Sequence, residues 1–150
     1  MAYKALDIAK KLIKLADYDT ANGGDSLTNL RLQKLLYYEQ GYHLAQFGTP
    51  LFDEEIEAWM YGPVVPSVYE YYHPNGSKPL PVPEDNELIT MTDDEEVMFA
   101  QVFEAYRDFS AIGLMNKTHH ESPWAALNRR GHGVVISKES MQKFFITQLY

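Results

Sequence analysis

The sequence predicts a mainly α, α+β fold: a compact helical domain around one central buried helix at about 28–47, with a small two- to three-stranded sheet. Three observations carry that reading. Between Leu30 and Phe47 apolar residues occupy most of the helical circumference, and such a helix is buried among other elements. Apolar residues repeat at helical spacing near both ends of the chain and again at 92–109. Strand-like patterning is confined to three short stretches, 55–61, 87–91 and 134–136.

The first helix runs from Tyr3 to Ala16, where Ala5, Ile8, Ala9, Leu12, Ile13 and Ala16 form one face and Lys4, Lys10, Lys11 and Lys14 the other. A basic amphipathic helix can lie on a membrane. Here the apolar face is small and aliphatic, without Trp or Phe, which favours packing on the central helix. Asn22-Gly23-Gly24-Asp25 reads as the turn between the two, and no Lys-Ser/Thr follows to make it a phosphate loop. Ser26 and Thr28 offer hydroxyls to the free N–H groups of the central helix. Gly48 and Pro50 stop that helix after Phe47. Gly41 costs about 1 kcal/mol against Ala in mid-helix, so a neighbour is expected to pack close to the backbone there.

Ile56, Ala58 and Met60 alternate with Glu57, Trp59 and Tyr61 in a half-buried strand that Gly62-Pro63 breaks. Pro66 opens a short helix over Ser67–Tyr72, since proline needs no N–H at the first helical position. With four prolines, His73 to Pro83 reads as an exposed loop. Glu87 to Met91 is a second strand candidate. Thr92 and Glu95 form a capping box for a helix reaching Phe109. Ser110 caps a helix to about Lys117, and Ser122-Pro123 opens one containing Trp124. After a loop at Arg129–Gly133 come a third strand at Val134–Ile136 and a last helix capped by Ser137. No repeat and no linker divides the chain, so 1–150 reads as one domain.

Composition narrows the function. Cysteine is absent, which excludes disulfides and thiolate zinc sites and fits a reducing compartment. Neither a ~20-residue apolar run nor a signal-peptide core is present, so a cytoplasmic location without membrane insertion is expected. The net charge is −8, and its distribution is uneven: residues 51–110 carry fourteen acidic residues against two basic ones. An acidic middle repels phosphate backbones, which argues against nucleic acid, and it attracts a basic protein partner.

Catalytic chemistry finds little support. His119 and His120 are adjacent, and neighbours on a helix point about 100° apart, so with Glu121 they do not converge on one ion. No Gly-x-Ser-x-Gly or Ser-x-x-Lys motif occurs. The acidic pairs Glu54/Glu55, Asp93/Asp94 and Glu95/Glu96 read as solvent-facing helix starts and turns. No catalytic, cofactor-binding or metal residue is therefore assigned.

Aromatic content is the informative excess: eleven Tyr, seven Phe and two Trp, with tyrosines clustered at 37, 38, 61, 69, 71 and 72. Tyrosine joins contact area to a polar tip and is enriched at interfaces. Tyr37 and Trp59 lean to the core, and Tyr61, Tyr69 and Tyr72 to an exposed patch. Lys34, on a buried helix, needs Glu39 or an acid from 53–57 as partner, or else lines a binding site.

The residues Leu32, Gln33, Lys34, Leu35, Tyr37, Tyr38, Ala58, Trp59, Gly62, Pro63 and Val64, in that order and spacing, resemble the signature of the Panacea domain. A second anchor, Ser122-Pro123-Trp124 followed by Ile136 and the paired Phe144 and Phe145, extends the resemblance over nearly the whole chain. That domain is the antitoxin domain of SocA-like and phage-associated (prophage) proteins. The resemblance implies an antitoxin, not an enzyme, that binds a cognate protein toxin directly; in SocA-like proteins it also implies delivery of the toxin to an energy-dependent protease. The partner surface is expected around the Tyr61-Gly62-Pro63 turn and the Tyr69 helix, with the acidic 53–57 stretch at its rim. The residues assigned to it are Lys34, Tyr38, Glu55, Glu57, Trp59, Tyr61, Gly62, Pro63, Tyr69 and Tyr72. Two other classes stay open at this point: a small hydrolase using His119, His120 and Glu121, and a DNA-binding autoregulator.

Overall fold

The central helix is the axis of the computed structural model, which describes residues 2–21, 26–127 and 133–149. The chain order is α1 (Ala5–Ala21), α2 (Asn29–Phe47), β1 (Ile56–Trp59), β2 (Gly62–Val64), α3 (Pro66–Tyr72), α4 (Asp93–Tyr106), α5 (Ala111–His119), α6 (Ser122–Ala125), β3 (Val134–Ile136) and α7 (Lys138–Ile146). This is the mainly α, α+β architecture expected. The sheet is antiparallel, in the order β2-β1-β3. Helices α1, α3, α4, α5 and α7 and strand β2 all pack on α2.

Local chemistry accounts for the helix ends. Thr28 caps α2 by accepting from the Arg31 N–H, and Gly48, at φ 74°, closes it by donating to the Leu44 carbonyl. Thr92 and Glu95 make the capping box of α4, while Ser110 and Ser137 cap α5 and α7. At Gly41 the ring of Phe145 from α7 lies where a Cβ would stand, which is why mid-helix glycine is used. One hydrophobic cluster joins Ile8 and Leu12 of α1 to Leu32, Leu35 and Leu36 of α2, Met98 and Phe103 of α4, and Phe145. The lysines of α1 face inward pairing, not a membrane: Lys10, Lys11 and Lys14 meet Glu87, Glu96 and Asp85. No described helix is long and apolar enough to cross a membrane.

Several boundaries differ from the sequence reading. Gly62-Pro63 does not simply end the strand; it turns it back. Trp59 pairs with Gly62 across the Met60-Tyr61 turn, and Gly62 supplies the positive φ, 105°, that this return needs. Pro63 is tolerated because β2 is an edge strand. Residues 87–91 form no strand: a 3-10 turn at Asp85–Glu87 leads into a segment held by side chains, with Lys11 Nζ on the Ile89 carbonyl and Glu96 on the Met91 N–H. Helix α4 stops at Tyr106, short of Phe109, because the buried Arg31 guanidinium takes the carbonyls of Arg107 and Phe109. Helix α1 runs on to Ala21. The turn at Asn22–Asp25 and most of the Arg129–Gly133 loop lie outside the described residues.

Candidate functional site: an aromatic groove beside the hairpin

The polar residues of α2 set the site's position. Gln33 accepts from the Val65 N–H at 2.9 Å, and Lys34 Nζ donates to the Pro63 carbonyl at 2.9 Å. Together they occupy the outer edge of β2, which a further strand would otherwise fill. The consecutive pair Gln33-Lys34 is thus a clamp on the hairpin. Gly62 is required beneath it as well, since a Cβ there would sit 2.7 Å from Lys34 Cε. Gln40 does the same for the segment between α2 and the hairpin, accepting from the Leu51 N–H and donating to the Phe52 carbonyl at 2.7 Å.

The hairpin so fixed forms one wall of a groove of about 440 Å³, lined by Trp59, Tyr61, Val64, Tyr69, His73 and Ile112 together with Thr28–Leu30 and Gln33 at the start of α2. Its aromatic wall is rigidly held. Trp59 meets Tyr69 edge to face with centroids 4.9 Å apart, and its indole N–H donates to Glu57 at 2.9 Å. Behind it Trp124 donates to the Trp59 carbonyl, and Asn29 donates to the Tyr69 carbonyl. Tyr61 is 59% exposed, Met60 beside it 72% and Ile112, which also lines the groove, 55%.

Of the ten residues assigned from the sequence, Trp59, Tyr61 and Tyr69 come together in this groove, with Glu57 against Trp59. Gly62 and Pro63 are buried in β2 behind it and shape the turn. Glu55 sits apart, 3.7 Å from Lys138 of α7. Three assignments are corrected. Lys34 and Tyr38 are fully enclosed and Tyr72 nearly so, and none presents its side chain to a partner.

Lys34 has no carboxylate partner among the described residues either. Its ammonium rests on a carbonyl, and burial pushes its pKa down to about 7. Glu39, the partner considered, is itself fully buried with neither oxygen hydrogen-bonded among the described residues. Burial therefore pushes its pKa well up and keeps it protonated. Tyr38 serves the core: it stacks on Tyr106 at 4.0 Å and, with Tyr37, donates to the buried Glu121. Nor is every acidic pair solvent-facing. Glu95 accepts from Tyr3, Thr92 and His43, and although burial alone would raise its pKa, these hydrogen bonds hold it at about 2.

His119, His120 and Glu121 diverge. His119 stacks on Trp124 at 4.0 Å, His120 bonds the Asn116 carbonyl, and Glu121 holds the two tyrosines. No three His, Asp or Glu side chains among the described residues are grouped to hold a metal ion. Ile112 and Val64 escaped sequence reasoning. Ile112 left one signal, an aliphatic residue off the Leu114/Thr118 face of α5; Val64 stood in the signature, but its strand was not foreseen and no contact role was assigned to it.

The family model "Antitoxin SocA-like, Panacea domain" matches residues 32–125, the interval from α2 to α6 that holds almost the whole groove. The chain belongs to that family. Among curated proteins, Antitoxin SocA of Caulobacter vibrioides (strain NA1000 / CB15N) is 48% identical over 52 residues, which is 35% of this chain and 28% of that protein. The similarity therefore spans well under two thirds of that relative's length. No solved structure matches. The groove in this interval combines aromatic rings held by hydrogen bonds and ring contacts with exposed apolar neighbours.

Proposed function

We propose that this protein is the antitoxin of a toxin–antitoxin pair, acting in the cytoplasm, and that it neutralises a cognate protein toxin by seating part of it in the Trp59–Tyr61–Tyr69 groove. One observation carries the choice of surface. Exposed aromatic and apolar side chains gather here on backbone clamped from behind by α2, whereas the other predicted contact residues are enclosed or dispersed. Inhibition by occlusion needs no catalytic residue. It needs a patch of roughly 800 Å² per partner with a few central anchors.

The test is co-expression with the neighbouring gene. Wild type is expected to restore growth, and Tyr61→Ala combined with Tyr69→Ala to abolish rescue while circular dichroism and the melting temperature show a folded protein. Full protection by the folded double variant would place the contact elsewhere. Delivery to an energy-dependent protease is a finer form of the same reading. It is distinguished by toxin half-life, which lengthens on deleting this protein if it is an adaptor and stays constant if it only blocks.

A further inference from the structure

The groove's chemistry narrows what it takes. Resting on the docking reading above, we infer that the occupant is a short extended segment of the toxin, with a large apolar side chain between basic residues. None of the described lining residues is Asp, Glu, Lys or Arg, although the protein carries a formal net charge of −8. A volume of about 440 Å³ walled by Trp59, Tyr61, Val64, Tyr69 and Ile112 suits an apolar anchor.

The flanks are chosen by charge. Several acids of 51–110 away from the groove are taken: Asp85, Glu87 and Glu96 by lysines of α1, Glu95 by His43, and Glu55 by Lys138. Glu57, on the Trp59 indole, and Glu70, next to Tyr69, have no cationic partner among the described residues. Unpaired acids next to the two wall residues Trp59 and Tyr69 of an uncharged groove complement a segment with basic flanks and repel an acidic one. The backbone conformation follows from hydrogen-bonding capacity. Asn29 and Gln33 bond to each other and to the Tyr69 and Val65 backbone, so these two amides are already engaged. The first-turn N–H groups of Asn29 and Leu30 in α2 and of Ala111 and Ile112 in α5 have no acceptor among the described residues. An extended chain offers them free carbonyl oxygens along its length, whereas a helix has only those of its last turn free.

Two fluorescein-labelled heptapeptides test this against the full chain by anisotropy: a Leu-Trp-Leu centre flanked by lysine pairs, and the same centre flanked by glutamate pairs. The lysine-flanked probe is expected to bind about tenfold more tightly, with the difference shrinking in high salt. Ile112→Lys or, if that variant does not fold, Tyr61→Lys is expected to weaken it about tenfold. Equal binding of the two probes, tighter binding of the glutamate form, no binding of either, or indifference to both variants would overturn the inference. The same variants in the growth assay separate the two claims. Lost rescue alongside equal probe binding keeps toxin docking and rejects the basic-flanked segment; intact rescue in folded Ile112→Lys and Tyr61→Lys rejects docking in this groove.

Discussion

The inward polar residues of α2 and the groove beside the hairpin both belong to the stretch that carries the Panacea signature, yet they do opposite work. Gln33, Lys34, Gln40 and His43 are buried, and each spends its hydrogen bonds on backbone or on a neighbouring side chain. Tyr61, Met60 and Ile112 are mostly exposed and hold nothing in place. The difference teaches that a signature motif has two layers: side chains that position a surface, and side chains that are the surface. On the proposed reading, mutating either is expected to abolish function, but only the first layer should cost stability.

The comparison breaks most readily at its interior side. Gly41→Ala drives a methyl group into the Phe145 ring and is expected to cost about 3 kcal/mol in urea denaturation. A loss below about 1 kcal/mol would show that α7 yields easily and that the α2–α7 contact is not a fastening. Next, Gln40→Leu strands the buried Leu51 and Phe52 backbone groups and should cost about 2–3 kcal/mol. No change in the urea midpoint would remove Gln40 from the clamping layer.

Glu39 sharpens the comparison with the opposite sign, because it is buried without fastening anything. Glu39→Met should stabilise by about 1–3 kcal/mol at neutral pH. Its raised pKa means that the folded chain keeps a proton which the unfolded chain loses above about pH 4.3. Stability therefore falls as pH rises from there, and the Met variant should lose that slope. Glu95 behaves in reverse. Held at about 2, its contribution is full above about pH 4.3 and is lost as pH falls towards 2, a slope that Glu95→Gln should abolish. The smallest effect on stability belongs to the groove: Tyr61→Ala is expected to move the melting free energy by no more than about 0.5 kcal/mol. A larger loss would mean that Tyr61 belongs with the fasteners and that the two layers merge.

Much of this architecture was legible in the chain. The central helix with its Thr28 and Gly48 ends, the capping box at Thr92 and the close approach at Gly41 all rest on neighbours within a few residues, or on a cost that only glycine avoids. The tyrosine excess pointed to the neighbourhood of this groove, which Tyr61 and Tyr69 line with Trp59. What misled was charge on a buried helix. Lys34 looked like half of an ion pair, or a binding residue, because its actual acceptor is a carbonyl, and every residue carries one. Tyr72 looked exposed because its helix is short and tyrosine-rich, and periodicity over seven residues does not say which face turns inward.

Periodicity and end-capping chemistry were enough to settle the helical class, the central helix and the aromatic character of the candidate surface, because these depend on spacing along one element. Folding alone decided that Gln33 and Lys34 close a sheet edge, that burial raises the pKa of Glu39, and that Ile112 and Tyr61 line one groove. Those outcomes turn on solvent exclusion and on partners tens of residues away, and neither burial nor distance in space is written in the local order of side chains.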